Sequence, residues 1–506
     1  MKTKIHILLA ALILIGFLST VFSQGLLESN VTISTHGIVQ EIQTETYSYI
    51  VGSSGLNYYA KNVTTGEIDY QSTNAGYVIL SASSSNETVY IQPGDYRLTN
   101  NIGLNFIGLT DFSIVGSNET VFDYDYTGSL PLGDMLEFNN CTNCTASNLI
   151  LNMNSQNNYS DLVDPGTTWI ASATNTSNIF FDSIQFLNSP DCGFVCSSST
   201  NVHISNSIFN ETGEHPIYTN AGLNGFYVEN TYFYNWAKWI RGYIKLTLGN
   251  DIHFTNDYFQ PNQDGQGYNN SLGIGSGAAG IVNDRSNGVY IDGCTFVGSG
   301  TEGKPAIYQP STGNNFACNN LNITNWNCIT FGTQDSTSNY GSLTNSYLYQ
   351  TPVLGFPMYM SNVTVDDPLT YNDDCISNST LQDVSFIYRT GIQDYPVLIL
   401  DSVSDVLVDN VNFIGWHFRG IAAQTSTNCA ITYCNFDEGF SSWAIQGSGK
   451  NLTMQNNFFA NVTIFGTYTI YLQGGSGNIL EDNTFGSGLN WNIDSTYASY
   501  IGNNTF

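Results

Sequence analysis

Positively charged residues are scarce in this chain, yet several of them occur in one short stretch. Residues 213–245, GEHPIYTNAGLNGFYVENTYFYNWAKWIRGYIK, include His215, Lys238, Arg241 and Lys245. His and Lys side chains can transfer protons, and Lys and Arg side chains can hold anionic groups. The stretch is therefore a candidate site for an acidic ligand.

The charge balance of the whole chain limits its partners. The 506 residues include 12 Lys and Arg against 41 Asp and Glu, for a formal net charge of −29 at pH 7. Nucleic-acid binding depends on clustered basic residues, so nucleic acid is excluded as a partner. Binding of the whole protein surface to acidic membranes is disfavoured because it also depends on basic residues. Because only 10% of the residues are charged, uncharged polar residues must form most of the surface.

The first residues predict export from the cell. Residues 1–23, MKTKIHILLAALILIGFLSTVFS, contain two lysines, then an apolar run, and end in a small residue at the expected cleavage site. This is the layout of a secretory signal peptide. No later stretch has the roughly 18 apolar residues of a membrane-spanning helix. We therefore expect a secreted or cell-surface protein. Sixteen N-x-[ST] sequons are compatible with N-glycosylation, and ten cysteines are compatible with disulfide bonds.

A short repeat runs through most of the chain. Segments such as NVHISNSIF, GFYVENTYF and DVLVDNVNF each contain a short alternating strand and end in an aromatic residue. One segment cannot bury a core, but stacked segments pair in parallel at about 4.8 Å and place equivalent residues in columns. The repeat predicts a buried column of Phe186, Phe209, Phe233, Phe259, Phe296, Phe413, Phe436, Phe459, Phe485 and Phe506, with Ile323, Leu348 and Leu381 in the same position elsewhere. Three residues earlier it predicts a structural column of Asn206, Asn230, Asn256, Asn320, Asn345, Asn410 and Asn456.

This pattern predicts an all-β parallel solenoid of roughly 12–14 coils. The solenoid is expected over residues 96–506, after N-terminal strands and a capping helix in residues 24–95. The helix is expected near residues 75–82, and a PGDY turn at Gly94 and Asp95 follows it.

The helix, the PGDY turn and the rungs IGLNFIGL and FSIVG resemble the N-terminal cap of proteins of the pectin-lyase-like superfamily. The resemblance covers essentially the whole mature chain and implies a single-stranded right-handed parallel β-helix. It is less specific for activity, because this superfamily includes lyases, hydrolases, epimerases and adhesins.

Alignment of the repeats places the basic residues on one outer face. A slip of one residue would turn half of them inward, and the burial of unpaired cations is costly. The expected columns are His215, Lys238 and Lys304, and Tyr218, Arg241 and Tyr308, with Asp191 one coil below His215.

The resemblance implies that these residues bind and cleave an acidic extracellular polysaccharide. Members of the superfamily that cleave uronates by β-elimination use a cation or a metal to neutralise the carboxylate. They also use a base that removes the C5 proton and an acid that protonates the leaving oxygen. The implied catalytic residues are His215 or Lys238 as the base, Arg241 on the carboxylate and Tyr218 as the acid. The implied substrate-binding residues are Lys304, Tyr308, Lys245, Trp236, Trp239 and Asp191.

A structural alternative stays open at this point. Isolated cations in an acidic protein usually pair with carboxylates, and a lone His on a strand is more often structural than catalytic. On this hypothesis the chain is a non-catalytic, glycosylated surface or adhesion rod. A glycoside hydrolase is a weaker alternative, because YNDDCISN and NSPDCGF match only part of the motif set of β-helix hydrolases.

The sequence predicts no cofactor. No loop has the ligand spacing of a calcium site, and no His follows the closely spaced Cys pairs at zinc-ligand distance. The chain ends on a repeat at Phe506. Because an uncovered strand edge recruits other strands, this end predicts head-to-tail self-association through the C-terminal coil.

Overall fold

The computed structural model of this protein describes residues 46–98, 103–124, 133–154, 169–236, 242–261, 279–298, 305–309, 315–326, 328–331, 341–354, 357–368, 377–389, 396–441, 443–464, 468–486 and 497–505. The segment Tyr49–Phe506 forms one compact unit. The predicted signal peptide and the start of the predicted cap lie outside the described residues.

Parallel strand pairing builds the molecule from three long sheets. The strands of the first sheet are Tyr49–Ser54, Asn57–Asn62, Ile68–Ser72, Thr88–Ile91, Gly94–Leu98, Ser113–Val115, Thr120–Tyr124, Thr142–Asn152, Ser177–Leu187, Thr200–Ser205, Ile208–Asn210, Asn224–Glu229, Tyr232–Tyr234, Asn250–Thr255, Tyr258–Gln260, Asn287–Asp292, Thr295–Val297, Phe316–Asn319, Asn322–Thr324, Gly341–Thr344, Tyr347–Tyr349, Tyr359–Asp366, Thr380–Ile387, Leu407–Asp409, Asn412–Ile414, Ala430–Thr432, Asn435–Asp437, Thr453–Gln455, Phe458–Ala460, Asn478–Glu481, Thr484–Phe485 and Ala498–Gly502. The second sheet contains Leu104–Ile107, Leu136–Asn139, Ala171–Thr174, Phe194–Ser197, Ile217–Thr219, Ile244–Thr247, Ile281–Asp284, Ile307–Tyr308, Ile329–Thr330 and Val353–Leu354. The third sheet contains Pro396–Ile399, Arg419–Ala423, Trp443–Gly447 and Ile470–Leu472, and the short strands Phe440–Ser441 and Thr463–Ile464 pair with each other.

Each coil contributes short strands that are separated by turns. The coil that starts with the second-sheet strand Phe194–Ser197 continues with Thr200–Ser205 and Ile208–Asn210 in the first sheet. In the next coil, Ile217 pairs with Phe194. Successive side chains of a strand point to opposite faces, so alternate residues fill the interior. The chain is an all-β right-handed parallel solenoid of about 13 turns with one short helix, which confirms the predicted fold.

A column of stacked aromatic rings fills the interior. The ring centroids of Phe186 and Phe209 are 4.3 Å apart, and those of Phe209 and Phe233 are 5.0 Å apart. Similar spacings continue through Phe259 and Phe296. In the later coils the column comprises Phe386, Phe413, Phe436, Phe459 and Phe485.

One residue predicted for the Phe column, Leu381, was assigned to it wrongly. Leu381 pairs with Met360 and Val408, in a neighbouring column, whereas Phe386 pairs with Phe413. The eight-residue strand Thr380–Ile387 contains both positions. Because both positions are apolar and buried, the sequence pattern alone did not distinguish them.

Asn residues occupy the turns between strands of the first sheet. Asn206, Asn230 and Asn256 have φ angles of 50°, 52° and 56°, in the left-handed region that Asn tolerates better than most residues. The side-chain amide of Asn206 donates a hydrogen bond of 2.7 Å to Asp182 on the preceding coil. This Asn column holds the turns and is exposed.

The first strands and the helix cover the start of the solenoid. Tyr49–Ser54 and Asn57–Asn62 pair in antiparallel fashion. The helix Ala75–Ser81 begins after Asn74, whose side chain accepts a hydrogen bond from the backbone N–H of Tyr77. The short helix confirms the sequence prediction. Gly94 and Asp95 do not form a turn, because they begin the strand Gly94–Leu98.

The described cysteines are buried and unpaired. They are Cys141, Cys144, Cys192, Cys196, Cys294, Cys318, Cys328, Cys429 and Cys434. In this part of the chain the structure contains no disulfide, and the thiols occupy interior positions as small apolar side chains. No helix within the described residues is long and apolar enough to cross a membrane.

After several turn Asn residues, the next residue is polar, points inward and bonds the backbone. The side-chain oxygen of Asn457 accepts a 2.9 Å hydrogen bond from the N–H of Cys434, and its amide donates to the carbonyl of Ile431. Asp257 occupies the equivalent position. One carboxylate oxygen of Asp257 accepts from the N–H of Thr231 at 2.8 Å, and the other has no partner. Burial raises the pKa of Asp257 well above its ordinary value.

We expect the substitution Asp257→Asn to stabilise the protein at neutral pH. Unfolded Asp257 ionises above its ordinary pKa while the folded group stays protonated, so stability falls as the pH rises. An amide avoids this loss and can bond as Asn457 does. Thermal unfolding should show a gain of about 1–3 kcal/mol at pH 7 that shrinks towards pH 3.

The reverse substitution, Asn457→Asp, is the matched control and should destabilise the protein at pH 7 but much less at pH 3. Equal stability of the wild type and Asp257→Asn at pH 7 would contradict this account.

Candidate functional site

Successive coils of the second sheet bring titratable residues together. The N–H of Gly193 donates to the carbonyl of His215, and the N–H of Glu214 donates to the carbonyl of Asp191. Asp191 therefore lies beside Glu214, one coil below it. One coil further on, Lys245 pairs in register with Tyr218.

His215 is held on all sides. Its exposed fraction is 4%. The ring atom Nδ1 lies 2.7 Å from the carbonyl oxygen of Tyr243, and Nε2 lies 3.2 Å from a carboxylate oxygen of Glu214. The rings of Tyr218 and Tyr243 flank the imidazole, with centroids 5.6 and 4.6 Å away. A ring so enclosed can orient Glu214 through its hydrogen bond, but it does not present a free nitrogen to a polymer.

Glu214 is the more accessible member of the pair, with 28% of its side chain exposed. Burial alone would raise the pKa of Glu214. Hydrogen bonds with His215 and Asp191 and the charge of Lys245 outweigh burial, so the pKa lies below its ordinary value. Glu214 is therefore ionised across the neutral range and is a weak base.

Cys192 lies beneath these carboxylates. Burial, followed by the charges of Asp191 and Glu214, raises the pKa of its thiol well above the ordinary value. One ligand atom from each of Asp191, Cys192 and Glu214 lies within 4.8 Å of the others. These are the residues of the described chain that could share a metal ion. The carboxylate of Glu214 already lies 3.2 Å from Nε2 of His215, and the Cys192 thiol lies 3.5 Å from a carboxylate oxygen of Asp191. The donor set is therefore satisfied within the protein.

A cation and two phenol rings lie along one outward column of the second sheet. The ammonium of Lys245 is 4.8 Å from the centroid of the Tyr218 ring. The register continues from Lys245 to Val282 and then to Tyr308. All three polar members are partly exposed. This arrangement can attract an anionic group and offers aromatic rings on either side of it.

The structure brings together only part of the expected residue set. His215, Tyr218, Lys245 and Asp191 lie in one cluster, and Tyr308 shares the column of Tyr218. That column does not contain Arg241, because Lys245 is the residue that pairs with Tyr218. The remaining expected residues, Lys238, Trp239, Arg241 and Lys304, lie outside the described residues.

Trp236 does not offer a face to a sugar, contrary to expectation. It is 1% exposed, and its indole N–H donates a 3.0 Å hydrogen bond to the carbonyl of Ala279. An indole is a large apolar group, so the interior is its favoured position when its N–H has a partner. The position of Trp236 just after a strand and turn gave no signal of this burial.

Asp134 is a titratable residue that the sequence did not single out. It precedes the second-sheet strand Leu136–Asn139 and bonds to the hydroxyl of Ser172. Burial raises the pKa of Asp134 to about 7. A carboxyl group that is half protonated near neutrality can act as a proton donor, and Asp134 and Glu214 each precede a strand of the second sheet. No motif surrounds this residue, so its environment is visible only in the fold.

Comparisons with known proteins support the type of repeat. Residues 397–506 match a family model described as a right-handed beta helix region, which covers less than half of the chain. No curated protein matches the sequence.

Solved structures similar to this chain include three carbohydrate-active proteins. The catalytic domain of a GH87 α-1,3-glucanase in complex with nigerose is 14% identical, with a TM-score of 0.37, over 71% of this chain and 61% of that domain. The endo-xylogalacturonan hydrolase from Aspergillus tubingensis is 10% identical, with a TM-score of 0.34, over 86% and 96% of the two chains. The A-module of the mannuronan C-5 epimerase AlgE6 from Azotobacter vinelandii is 13% identical, with a TM-score of 0.24, over 83% and 88%. This chain spans less than two thirds of the glucanase domain, and TM-scores this low carry no information about the site.

We expect the substitution Glu214→Gln to weaken the fold above pH 4.5. Because the pKa of Glu214 is lowered in the folded state, its ionised form contributes stability above the ordinary pKa. This contribution disappears as the pH falls through the lower folded value. Thermal unfolding should show a loss of about 1–3 kcal/mol at pH 7 that vanishes in acid.

Glu119→Gln is the control, because the side chain of Glu119 is exposed and its loss should change stability little at any pH. If the free energy of unfolding of Glu214→Gln equals that of the wild type at pH 7, the contact with His215 contributes nothing to stability.

Proposed function

We propose that this protein binds an acidic extracellular polysaccharide along the outer face of the second sheet. The observation that carries the proposal is the position of the Lys245 ammonium above the ring of Tyr218, 4.8 Å from its centroid. A uronate residue presents a carboxylate for the cation and a ring face for the phenol. The proposed export of the chain, from residues 1–23, places this face outside the cell.

The shape of the face supports a polymer rather than a small acid. Tyr218 and Tyr308 are three coils apart in the same column, which corresponds to about 14 Å at the spacing of parallel strands. Lys245 and Val282 occupy the same column on the two coils between them. A small acid would contact Lys245 alone, whereas an oligosaccharide can contact both tyrosines.

The net charge of the protein makes the local cation important. A chain with a net charge of −29 repels a polyanion at long range, and salt screens this repulsion. Affinity must therefore come from short-range contacts with the few available cations. This reasoning assigns Lys245 a larger share of the binding free energy than a lysine would have in a basic protein.

We expect the substitution Lys245→Gln to weaken binding of a galacturonate oligomer by about tenfold, which corresponds to about 1.4 kcal/mol. Isothermal titration calorimetry at moderate salt measures this change. Tyr308→Ala should weaken the binding of long oligomers more than that of dimers, because only long oligomers reach Tyr308.

Lys450→Gln is the matched control, because it removes the same charge from an exposed position on another face. Equal losses of affinity in Lys245→Gln and Lys450→Gln would assign the effect to net charge and would contradict a site at Lys245.

β-Elimination is a second candidate function. The observation that favours it is the contact between Lys245 and Tyr218, which pairs a carboxylate-neutralising cation with a proton donor on one outer face. In this reaction a base removes the C5 proton, the C4–O bond breaks, and Tyr218 protonates the leaving oxygen. The enclosure of His215 argues against its role as the base. Lys238 and Arg241 remain proposals from the sequence for the base and the carboxylate holder.

We expect β-elimination to produce ultraviolet absorbance from unsaturated sugar ends when the protein is mixed with a uronate polymer. Tyr218→Phe keeps the ring below Lys245 and removes the proton donor, so it should abolish this absorbance and leave binding nearly intact. The assay covers pH 5–7, with and without added calcium.

Flat absorbance in all conditions would reject elimination. New reducing ends without absorbance would indicate hydrolysis, with Asp134 as the candidate acid. Binding without any cleavage would support the alternative of a non-catalytic surface rod.

A further inference from the structure

The third sheet contains a second cation surrounded by aromatic rings. Its strands Arg419–Ala423 and Trp443–Gly447 pair in parallel, with Arg419 opposite Trp443. We call Phe418, Arg419, Trp443, Tyr468 and Tyr471 the Arg419 site. The second sheet ends at Leu354, so the Arg419 site belongs to later coils and shares no residue with the face around Lys245.

Arg419 lies against aromatic rings rather than carboxylates. Its guanidinium carbon is 4.4 Å from the centroid of the Phe418 ring and 5.2 Å from that of Trp443. Its Nε atom is buried without a hydrogen-bond partner. Arg419 forms no ion pair with any residue that the structure describes. By contrast, Arg285 pairs with Asp284 at 3.1 Å, and Arg389 pairs with Asp366 at 2.7 Å.

The rings beside Arg419 form a partly exposed stack, which we call the aromatic wall. Trp443 and Tyr471 stack with centroids 5.4 Å apart and planes 14° apart. Tyr468 stacks on Tyr471 at 5.3 Å and 12°. Gln446, which pairs in register with Tyr471, has a side-chain oxygen that is buried without a partner. Three nearly parallel rings beside a guanidinium that pairs with no described carboxylate are a combination suited to a ligand that carries an anionic group.

The lack of an acidic partner among the described residues is informative in this particular chain. Acidic residues outnumber Lys and Arg by 41 to 12. With so many carboxylates, a surface cation in this chain is expected to have an ion-pair partner. A guanidinium on aromatic rings keeps its full charge, because a ring attracts a cation without neutralising it. Arg419 is half-buried and its Nε atom is buried, so water is partly excluded from the group, and this burial lowers its pKa. A carboxylate that reaches Arg419 would form a stronger hydrogen bond there than in open water.

We propose that the Arg419 site binds a uronate residue of an acidic glycan, with the sugar carboxylate on the guanidinium and the sugar ring on the aromatic wall. The planar fork of Arg matches a carboxylate through two parallel hydrogen bonds, which Lys cannot form. The faces of Trp and Tyr accept the C–H bonds of a sugar ring. The site extends the proposed glycan binding to a second position on the rod, but it rests on its own residues and does not require binding at Lys245.

The test uses calorimetry of the full protein with an α-1,4-linked galacturonate trimer and with its carboxyl-reduced, neutral galactose counterpart. The wild type should bind the acidic trimer at least tenfold more tightly than the neutral one. Arg419→Gln should remove one class of binding sites for the acidic trimer. Arg419→Lys should recover only part of the affinity, because it restores the charge without the fork. Lys450→Gln is the control for net charge and should bind as the wild type does.

The variants separate the two sites. Loss of binding in Arg419→Gln with unchanged behaviour in Lys245→Gln supports the Arg419 site and rejects the proposal at Lys245. Unchanged binding in Arg419→Gln, or equal affinity of the wild type for the acidic and neutral trimers, overturns the Arg419 site.

Acetate at the same carboxylate concentration must not compete, because competition would show a general anion site. If Arg419→Gln does not fold, Trp443→Leu removes the sugar platform and must reduce acidic-trimer binding tenfold; unchanged binding overturns the site.

Discussion

The parallel register between coils is the constraint on which the rest of the structure depends. Each strand bonds to the equivalent strand of the next coil, so a residue type that recurs in the repeat forms a column along the axis. The column of Phe186, Phe209 and Phe233 shows this directly, with rings 4.3 and 5.0 Å apart. Hydrophobic burial and ring stacking inside the solenoid and the turn geometry outside it follow from this one repeat. A change of register by one residue would move every column to the opposite face.

The same constraint turns isolated surface residues into extended features. Lys245 has a defined neighbour only because its coil stacks on that of Tyr218, and Arg419 meets Trp443 for the same reason. Neither contact joins residues that are close in sequence. A solenoid thus builds ligand-binding faces by repetition, with about one strand spacing between successive side chains of a column. Polymers with regular repeats are natural ligands for such faces, and this match is independent of any particular chemistry.

The repeat made it possible to predict the fold from the sequence, whereas the candidate site could be predicted only in part. The Phe and Asn positions recur at nearly constant intervals, and each has a single physical role, so solenoid and columns were predictable. The error at Leu381 arose where a continuous strand offers two buried positions. The expected pairing of Tyr218 with Arg241 failed because apolar spacing does not fix how a longer coil aligns with its neighbour. The burial of Trp236 and the environment of Asp134 depend on contacts between coils, which no local pattern encodes.

Four of the described cations form two groups with different electrostatic consequences. Arg285 and Arg389 each pair with a carboxylate, and such pairs leave little net charge for a ligand. Lys245 and Arg419 instead lie on aromatic rings. A ring quadrupole stabilises a cation in place but leaves its charge uncompensated, so the field of the cation still extends outward. In a protein with 41 acidic residues, no described carboxylate forms an ion pair with Lys245 or Arg419. Glu214 is nevertheless close enough to Lys245 for the lysine charge to help lower its pKa. The distribution of acids, more than the distribution of bases, therefore indicates where an anionic ligand can approach this solenoid.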